Sequence, residues 1–206
     1  PRGYRACVMG DHCSLLLLNG IELEVRAVVS TAPINVLPRL VQGTDALEPY
    51  RRFRYRPMVL VNLKLEGRGL LEDVVVWTPK GFPFFRLTEA TQSMPWLAPD
   101  GKTMVLCDIG AAVGDAHWSM GDDELGEYCI EHLRPVIPDV RRRYLGVRVS
   151  RTPIAYPVYL QEYESDRLAL RDSTGVGGLI SVGRHGEFSH NLMEDVYWLT
   201  IDKVHR

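Results

Sequence analysis

Residues 178–191 read Gly-Leu-Ile-Ser-Val-Gly-Arg-His-Gly-Glu-Phe-Ser-His-Asn and lead into a periodic stretch that continues to Val204. The apolar run before Gly183 predicts a short buried strand, which the glycine ends. The periodic stretch predicts a helix over 191–204. One face of this helix carries Leu192, Val196, Leu199 and Lys203. The segment is therefore expected to form a strand, a glycine-containing loop and a helix.

The start of this helix is a candidate ligand site. Asn191 and Glu194 have the spacing of a capping box, which places the helix N-terminus directly after the loop. Unpaired N–H groups and the positive end of the helix dipole favour an anionic or electron-rich ligand group there. Arg184 adds a cation that is able to bind a phosphate or a carboxylate. The alternative is an ordinary connection with a surface arginine, and the acids Glu194 and Asp195, which complement the dipole, favour that alternative.

Residues 14–29 predict a second β region near the other end of the chain. They read Ser-Leu-Leu-Leu-Leu-Asn-Gly-Ile-Glu-Leu-Glu-Val-Arg-Ala-Val-Val. Asn19-Gly20 is typical of a hairpin turn, and apolar and charged side chains alternate after it. The apolar residues 27–29 predict a strand end that is covered on both faces, and Pro33 follows the end of this strand.

The middle of the chain predicts a sheet with helices. Short β-rich runs recur between Gly- and Pro-rich turns, which indicates a mostly antiparallel sheet. These runs are residues 59–65, 73–78, 84–88 and 103–109. An amphipathic helix is predicted over 122–137 from its apolar i, i+3, i+4 spacing. Residues 147–158 predict a strand and 162–171 a short helix. The fold class is therefore α+β.

Composition narrows the class of protein but names no partner. The chain has 206 residues, 46% of them hydrophobic, and a net charge of −2, so it fits one or two globular domains with no overall attraction to nucleic acid. The cysteines form no C-x-x-C pair, which predicts reduced thiols and a cytoplasmic protein. They are Cys7, Cys13, Cys107 and Cys129. We expect no membrane span. Because the chain opens without Met, we expect it to be part of a longer polypeptide.

Other candidate motifs are incomplete. Gly175-Val-Gly177-Gly178 lacks the third glycine of a dinucleotide fingerprint, and the Gly-rich stretch 110–114 lacks the Lys of a phosphate loop. His185 and His190 lie in one loop without further matching ligands, so no metal site is predicted. Tyr156 and Tyr159 are candidates for an aromatic substrate pocket, with ordinary sheet packing as the alternative.

Two stretches together resemble a known group of flavoproteins. Residues 22–37 (Glu-Leu-Glu-Val-Arg-Ala-Val-Val-Ser-Thr-Ala-Pro-Ile-Asn-Val-Leu) resemble the segment by which FAD-dependent amine oxidases, protoporphyrinogen oxidase-like proteins and UDP-galactopyranose mutase leave the cofactor-binding sheet. Ala155-Tyr-Pro-Val-Tyr159, followed by 178–188 and the helix at Asn191, is similar to their C-terminal return to the FAD domain. The middle matches in general layout alone.

The resemblance implies a division of the chain. Residues 1–32 would be a partial FAD-binding domain, 33–175 a substrate-binding domain, and 176–206 the return to the FAD-binding domain. The strands at 27–29 and 179–182 would then lie side by side. Gly183 and Arg184 would lie near the ribityl chain and pyrophosphate of FAD. The N–H groups near Leu192 and Met193 would face the flavin pyrimidine carbonyl.

Two departures limit the resemblance. The Gly-Asp of amine oxidases is Gly183-Arg184 here, as in mutase-like and desaturase-like relatives, so an amine substrate does not follow. The N-terminal glycine fingerprint is absent, so we expect that this chain alone neither retains FAD nor is active without the rest of the same polypeptide.

The resulting hypothesis is the C-terminal portion of a FAD-dependent oxidoreductase that orients a small organic substrate for hydride transfer. The alternatives are a flavin-dependent sugar-nucleotide mutase and a non-catalytic binding module that has lost FAD. No acid or base is assigned from the sequence.

Overall fold

The computed structural model describes residues 4–9, 12–17 and 19–205 of the chain. It contains two compact units. The split unit comprises Pro1–Tyr55 and Tyr156–Arg206, and the inserted unit comprises Arg56–Ala155. The assignment of 1–32, 33–175 and 176–206 to cofactor and substrate domains stays a prediction.

The elements follow one another along both units. The strands in chain order are β1 (Tyr4–Met9), β2 (His12–Leu17), β3 (Glu22–Val25), β4 (Val28–Ser30), β5 (Val41–Gln42), β6 (Tyr55–Glu66), β7 (Val75–Trp77), β8 (Arg86–Thr88), β9 (Lys102–Gly110), β10 (Tyr144–Pro157) and β11 (Leu179–Ser181). The α-helices are α1 (Leu37–Leu40), α2 (Ala116–Ser119), α3 (Asp122–Leu133), α4 (Val140–Arg143), α5 (Glu164–Asp172), α6 (Gly183–Gly186) and α7 (Met193–His205). Short 3₁₀ turns lie at Ile34–Val36, Glu48–Arg52, Ala90–Gln92, Pro95–Leu97 and Gln161–Tyr163.

The split unit contains two small sheets. In the first, the strand order is β3-β2-β1-β5, with antiparallel pairing of β1, β2 and β3 and parallel pairing of β5 with β1. The predicted hairpin is confirmed: Gly20 has a φ of +82°, which glycine adopts without strain, and the Leu17 N–H donates to the Ile21 carbonyl at 2.8 Å. In the second, β11 pairs in parallel with β4, and Leu179 lies opposite Val28. The predicted neighbourhood of these two strands is therefore confirmed.

One prediction about β4 is not met within the described residues. The apolar run at 27–29 predicts a strand covered on both faces, but Val29 is 48% exposed. No described layer covers this side chain, although β4 pairs with β11 along its edge.

The inserted unit is built on the predicted antiparallel sheet. Its strand order is β10-β6-β9-β8-β7, and the register from β6 through β9 and β8 to β7 is antiparallel throughout. Alternate residues of β6 and β9 point to one face and are fully buried, as the period of two along a strand requires. They are Val59, Val61, Leu63, Leu65, Val105, Cys107 and Ile109. The mixed α/β content and this sheet agree with the predicted fold class.

Helix α3 covers the apolar face of this sheet. Its buried residues Leu125, Cys129 and Leu133 belong to the same hydrophobic core as the strand residues. A Cβ at Gly126 would lie 3.1 Å from both Tyr144 and Val147, so a larger residue would push the helix and β10 slightly apart. The helix ends at Leu133 rather than at the predicted 137. Pro135 has no N–H for the helical ladder and its ring clashes with the preceding turn.

Candidate functional site

The candidate site lies in the split unit, where β11 ends and the chain turns toward α7. Gly183 has a φ of +83°, and no heavy atom lies within 4 Å of the position that a Cβ would occupy. The predicted loop contains one helical turn, α6, closed by the Glu187 N–H donating to the Gly183 carbonyl at 2.9 Å. The backbone at Gly183 is thus open to close approach by a ligand.

Phe188 fixes the second half of this loop. It is fully buried and has a φ of +49°, the left-handed region that a bulky side chain rarely adopts. Its ring centroid lies 4.3 Å from that of Phe53 and 5.2 Å from that of Tyr55. The aromatic packing offsets a backbone strain of about 1–2 kcal/mol. Nothing in the sequence signals this conformation, because the residue is not glycine.

The Tyr55 side chain also contacts this loop. Its hydroxyl donates to the His185 carbonyl at 2.5 Å. Burial raises the pKa of the Tyr55 phenol well above its ordinary value. The phenol therefore remains a neutral hydrogen-bond donor across the physiological pH range.

Arg184 bridges the two ends of the loop. Its guanidinium donates to the Asn191 carbonyl at 2.7 Å and lies over the ring of Tyr156, 5.5 Å from the centroid. The Tyr156 ring also lies 5.3 Å from that of His190. The structure thus brings Arg184 and Tyr156, two of the residues singled out from the sequence, into direct contact.

Tyr159 holds the loop on the other side of His190. Its hydroxyl oxygen accepts from the His190 N–H at 2.6 Å, and the side chain is 52% exposed. The Arg167 guanidinium lies over its ring at 5.5 Å and is fixed by two hydrogen bonds to Glu164. These hydrogen bonds raise the pKa of Arg167 and lower that of Glu164. Tyr159 therefore has one packed face and one exposed edge.

The N-terminus of α7 is exposed but capped differently from the prediction. Leu192 is 69% exposed and Met193 is 91% exposed. The Leu192 N–H donates to Asp195 Oδ2 at 2.9 Å, and the Val196 N–H donates to the Leu192 carbonyl at 3.0 Å. The carboxylate that reaches back is thus that of Asp195, one position later than Glu194. The Asn191 side chain instead accepts from the Ser189 hydroxyl. Only the reverse half of a capping box is therefore present, one residue later than expected, because Leu192 has no side-chain acceptor.

An ion pair completes the support of the loop. Glu187 Oε1 accepts from Lys203 Nζ at 2.8 Å, and both side chains are largely buried. The sequence places Lys203 on one face of the helix but does not predict this pair, because Glu187 lies in the preceding loop and no local spacing links the two residues.

In residues 4–9, 12–17 and 19–205, no three His, Cys, Asp or Glu side chains come together in a way that would hold a metal ion. Over the same residues, no helix combines the length and apolar character needed to cross a membrane.

The fold and the site are together typical of one class of protein. A parallel strand pair leads into a glycine-containing loop and a helix N-terminus, as in α/β proteins that bind ligands beyond the carboxyl ends of parallel strands. The sequence matches the model of the flavin containing amine oxidoreductase family over residues 8–197. The chain belongs to this family. The resemblance noted from residues 22–37 and 155–191 is therefore confirmed.

Solved structures show the same fold. Reduced UDP-galactopyranose mutase has a TM-score of 0.69 at 16% identity, over 84% of this chain and 38% of that chain. A putative protoporphyrinogen oxidase from Exiguobacterium sp. 255-15 has a TM-score of 0.67 at 13% identity, over 100% and 47%. Putrescine oxidase bound to putrescine has a TM-score of 0.70 at 14% identity, over 100% and 49%. This chain spans less than half the length of each. No curated protein matches the sequence.

Proposed function

We propose that this chain is the C-terminal portion of a FAD-dependent oxidoreductase that orients a small organic substrate over the flavin. The observation that carries the proposal is the parallel pairing of β4 with β11 directly before the Gly183 loop and the exposed start of α7. This pairing supports one cofactor-binding sheet built from both ends of the chain. When bound, FAD would supply the chemistry of hydride acceptance from the substrate.

The residues at the loop fit such a cofactor. Gly183 leaves space for a phosphate or sugar group against the backbone, and the start of α7 is exposed to receive an electron-rich carbonyl. The Met193 N–H, at the first residue of α7, is one candidate donor. The Leu192 N–H is engaged by Asp195 and becomes available only when that carboxylate rotates away.

The chain's own residues would bind and orient. Arg184, held by Asn191 and Tyr156, would place a positive charge near the pyrophosphate. The positive end of the α7 dipole would stabilise negative charge that develops nearby during reduction. Tyr156 and Tyr159 would contribute to the wall of the substrate site. The catalytic acid and base remain unassigned.

Exposed apolar side chains support the proposal that further polypeptide completes the FAD-binding domain. Val29 of β4 is 48% exposed, and Tyr197 and Trp198 of α7 are 58% and 59% exposed. Parallel sheets are normally covered on both faces, so these surfaces suit contact with a nucleotide-binding segment of the same polypeptide. FAD retention would then require that segment, and this chain alone would be inactive.

A flavin-dependent sugar-nucleotide mutase is the second candidate. Gly183-Arg184 stands where amine oxidases carry Gly-Asp, and UDP-galactopyranose mutase shares the fold. In that case turnover would require prior reduction of the cofactor and would oxidise no substrate.

The test is purification of the complete gene product and measurement of its absorbance. We expect bound FAD and bleaching of the flavin band by an oxidisable substrate in the absence of oxygen. Activity that appears only after chemical reduction, with no net oxidation, would select the mutase. A protein that carries no flavin and takes up none when FAD is added would contradict both and favour a non-catalytic binding module.

A further inference from the structure

A buried ion pair links the candidate cofactor loop to the far end of α7. Glu187 follows α6, and its Oε1 lies 2.8 Å from Nζ of Lys203 in the last turn of α7. The two side chains are 6% and 17% exposed. Lys203 Nζ also donates to the Ser181 carbonyl at 3.3 Å. Lys203, which belongs to α7, thus contacts both the end of β11 and the loop.

Stability alone does not account for this pair. Removing two charges from water costs about as much as their attraction returns, so buried ion pairs add little to stability. In addition, Glu187 Oε2 is buried with no hydrogen-bond partner among the described residues, which is a further cost. A pair of this kind is better explained by the geometry that it specifies.

The geometry that the Glu187–Lys203 pair specifies is the direction of the α7 axis. Lys203 lies ten residues after Met193 in this helix, which corresponds to about 15 Å along the axis. A tilt of about 4° around Lys203 would therefore move the helix start by about 1 Å. Displacements of about 1 Å in a binding or reacting geometry can cost about 100-fold in rate.

The contacts at the N-terminus of α7 do not by themselves fix the direction of the helix. The hydrogen bond from Leu192 to Asp195 lies within the first turn of α7 and fixes no direction relative to β11. The hydrogen bond from Arg184 to the Asn191 carbonyl joins the loop ends across a flexible side chain. Lys203 joins the last turn of α7 to the loop through Glu187 and to β11 through the Ser181 carbonyl.

We propose that Glu187 and Lys203 are positioning residues that hold the N-terminus of α7 at a fixed distance and angle from Gly183 and Arg184. This inference rests on the proposed function of the loop as part of the FAD site. It predicts that the pair affects cofactor binding more than it affects folding.

The experiment compares variants of the complete gene product in FAD titrations and thermal unfolding. Glu187→Gln combined with Lys203→Met replaces the pair by neutral side chains of similar size. We expect a melting temperature close to that of the wild type, since neutral replacements of buried pairs are often tolerated. The FAD dissociation constant should rise about tenfold or more, and the absorption band of bound flavin should shift.

A second variant keeps the test decisive if the first fails to fold. Glu187→Asp retains the charge and shortens the reach of the side chain by one methylene group. It should weaken FAD binding and shift the same band. The control is Arg52→Met with Asp166→Asn, which neutralises a more exposed ion pair of the split unit, at 2.6 Å. This control should leave both readouts unchanged.

The outcomes separate the two proposals. Wild-type affinity and an unshifted spectrum in a folded Glu187 variant would overturn the positioning role and leave the FAD site intact. If the wild-type protein itself binds no FAD, the proposed function and this inference both fail.

Discussion

Arg184 shows how one side chain can join a loop and a candidate ligand site. Its guanidinium donates to the Asn191 carbonyl and lies over the Tyr156 ring. The first contact closes the loop, and the second places the cation beside a residue expected to contact substrate. Replacement by a small apolar residue removes both contacts together.

Arg184→Ala is therefore expected to weaken binding of FAD or of substrate by the complete gene product about tenfold or more, because a charge-assisted hydrogen bond is lost. Fluorescence titration of both ligands measures the effect. Arg171→Ala, an exposed arginine on α5, serves as the control and should bind normally. Superimposable titration curves for Arg184→Ala and the wild type would remove the proposed role.

Asp108 is a second residue whose environment decides its behaviour. It is fully buried in β9, its Oδ2 accepts from Arg86 Nε, and its Oδ1 has no hydrogen-bond partner in the part of the chain that the structure describes. Burial raises the pKa of the Asp108 carboxyl, and the nearby Arg86 guanidinium only partly opposes the increase. The folded protein therefore holds this proton more tightly than the unfolded chain does.

The raised pKa of Asp108 makes the stability of the protein depend on pH. Protonated Asp108 contributes fully to the free energy of unfolding below the ordinary aspartate pKa of about 4. This contribution is lost as the pH rises through the higher pKa of the folded state. The destabilisation caused by Asp108→Asn should therefore be smaller at about pH 7 than at about pH 4. Urea unfolding at both pH values tests this, and a destabilisation that grows with pH would contradict it.

For single residues, the sequence identifies candidate site residues better than it predicts their backbone conformation. Gly183 and Arg184 are identifiable because a glycine and a cation follow an apolar run. Phe188 is not, since its left-handed backbone depends on packing against Phe53 and Tyr55, which lie more than 130 residues earlier in the chain. Whether Gly183, Arg184, Leu192 and Met193 bind a cofactor stays a prediction.

Among the elements, α7 has a start that local pattern places only approximately. The spacing of Asn191 and Glu194 predicts a capping box, but the structure uses Asp195, whose carboxylate accepts from the Leu192 N–H. Adjacent acids both satisfy the pattern, so the side chain that caps the helix is decided by the path of the loop that precedes it.

The two acids therefore differ in their expected effect on stability. Asp195→Ala should lower the free energy of unfolding by about 1 kcal/mol, because it removes the acceptor for an N–H at the helix start. Glu194→Ala should change it by less than about 0.5 kcal/mol. Denaturant midpoints of the two variants provide the comparison. Equal losses of unfolding free energy, or a larger loss for Glu194→Ala, would contradict capping by Asp195 and favour Glu194 as the capping residue.

Other elements show where local sequence is sufficient. The turn at Asn19-Gly20 is confirmed because its backbone requirement is met within two residues. The end of α3 is four residues earlier than predicted because apolar periodicity continues past the point at which Pro135 interrupts the hydrogen bonds. The open face of β4 depends on which segments pack against it from elsewhere in the polypeptide, and no local pattern contains that information.

For the molecule as a whole, the family is established and the activity is a proposal. The match over residues 8–197 and the shared fold place the chain among flavin containing amine oxidoreductases. Cys107 and Cys129 are free and buried, while reduced thiols throughout the chain and a cytoplasmic location stay predictions. Only the family resemblance predicts the long-range pairing of β4 with β11, because neither strand alone specifies its partner.

Amide hydrogen exchange in the complete gene product, with and without FAD, tests directly whether the Gly183 loop and the start of α7 bind the cofactor. We expect slower exchange in the segment 183–193, above all at Met193, when FAD is added, and no change in α3 of the inserted unit. Tight FAD binding with unchanged exchange across 183–193 would contradict this expectation.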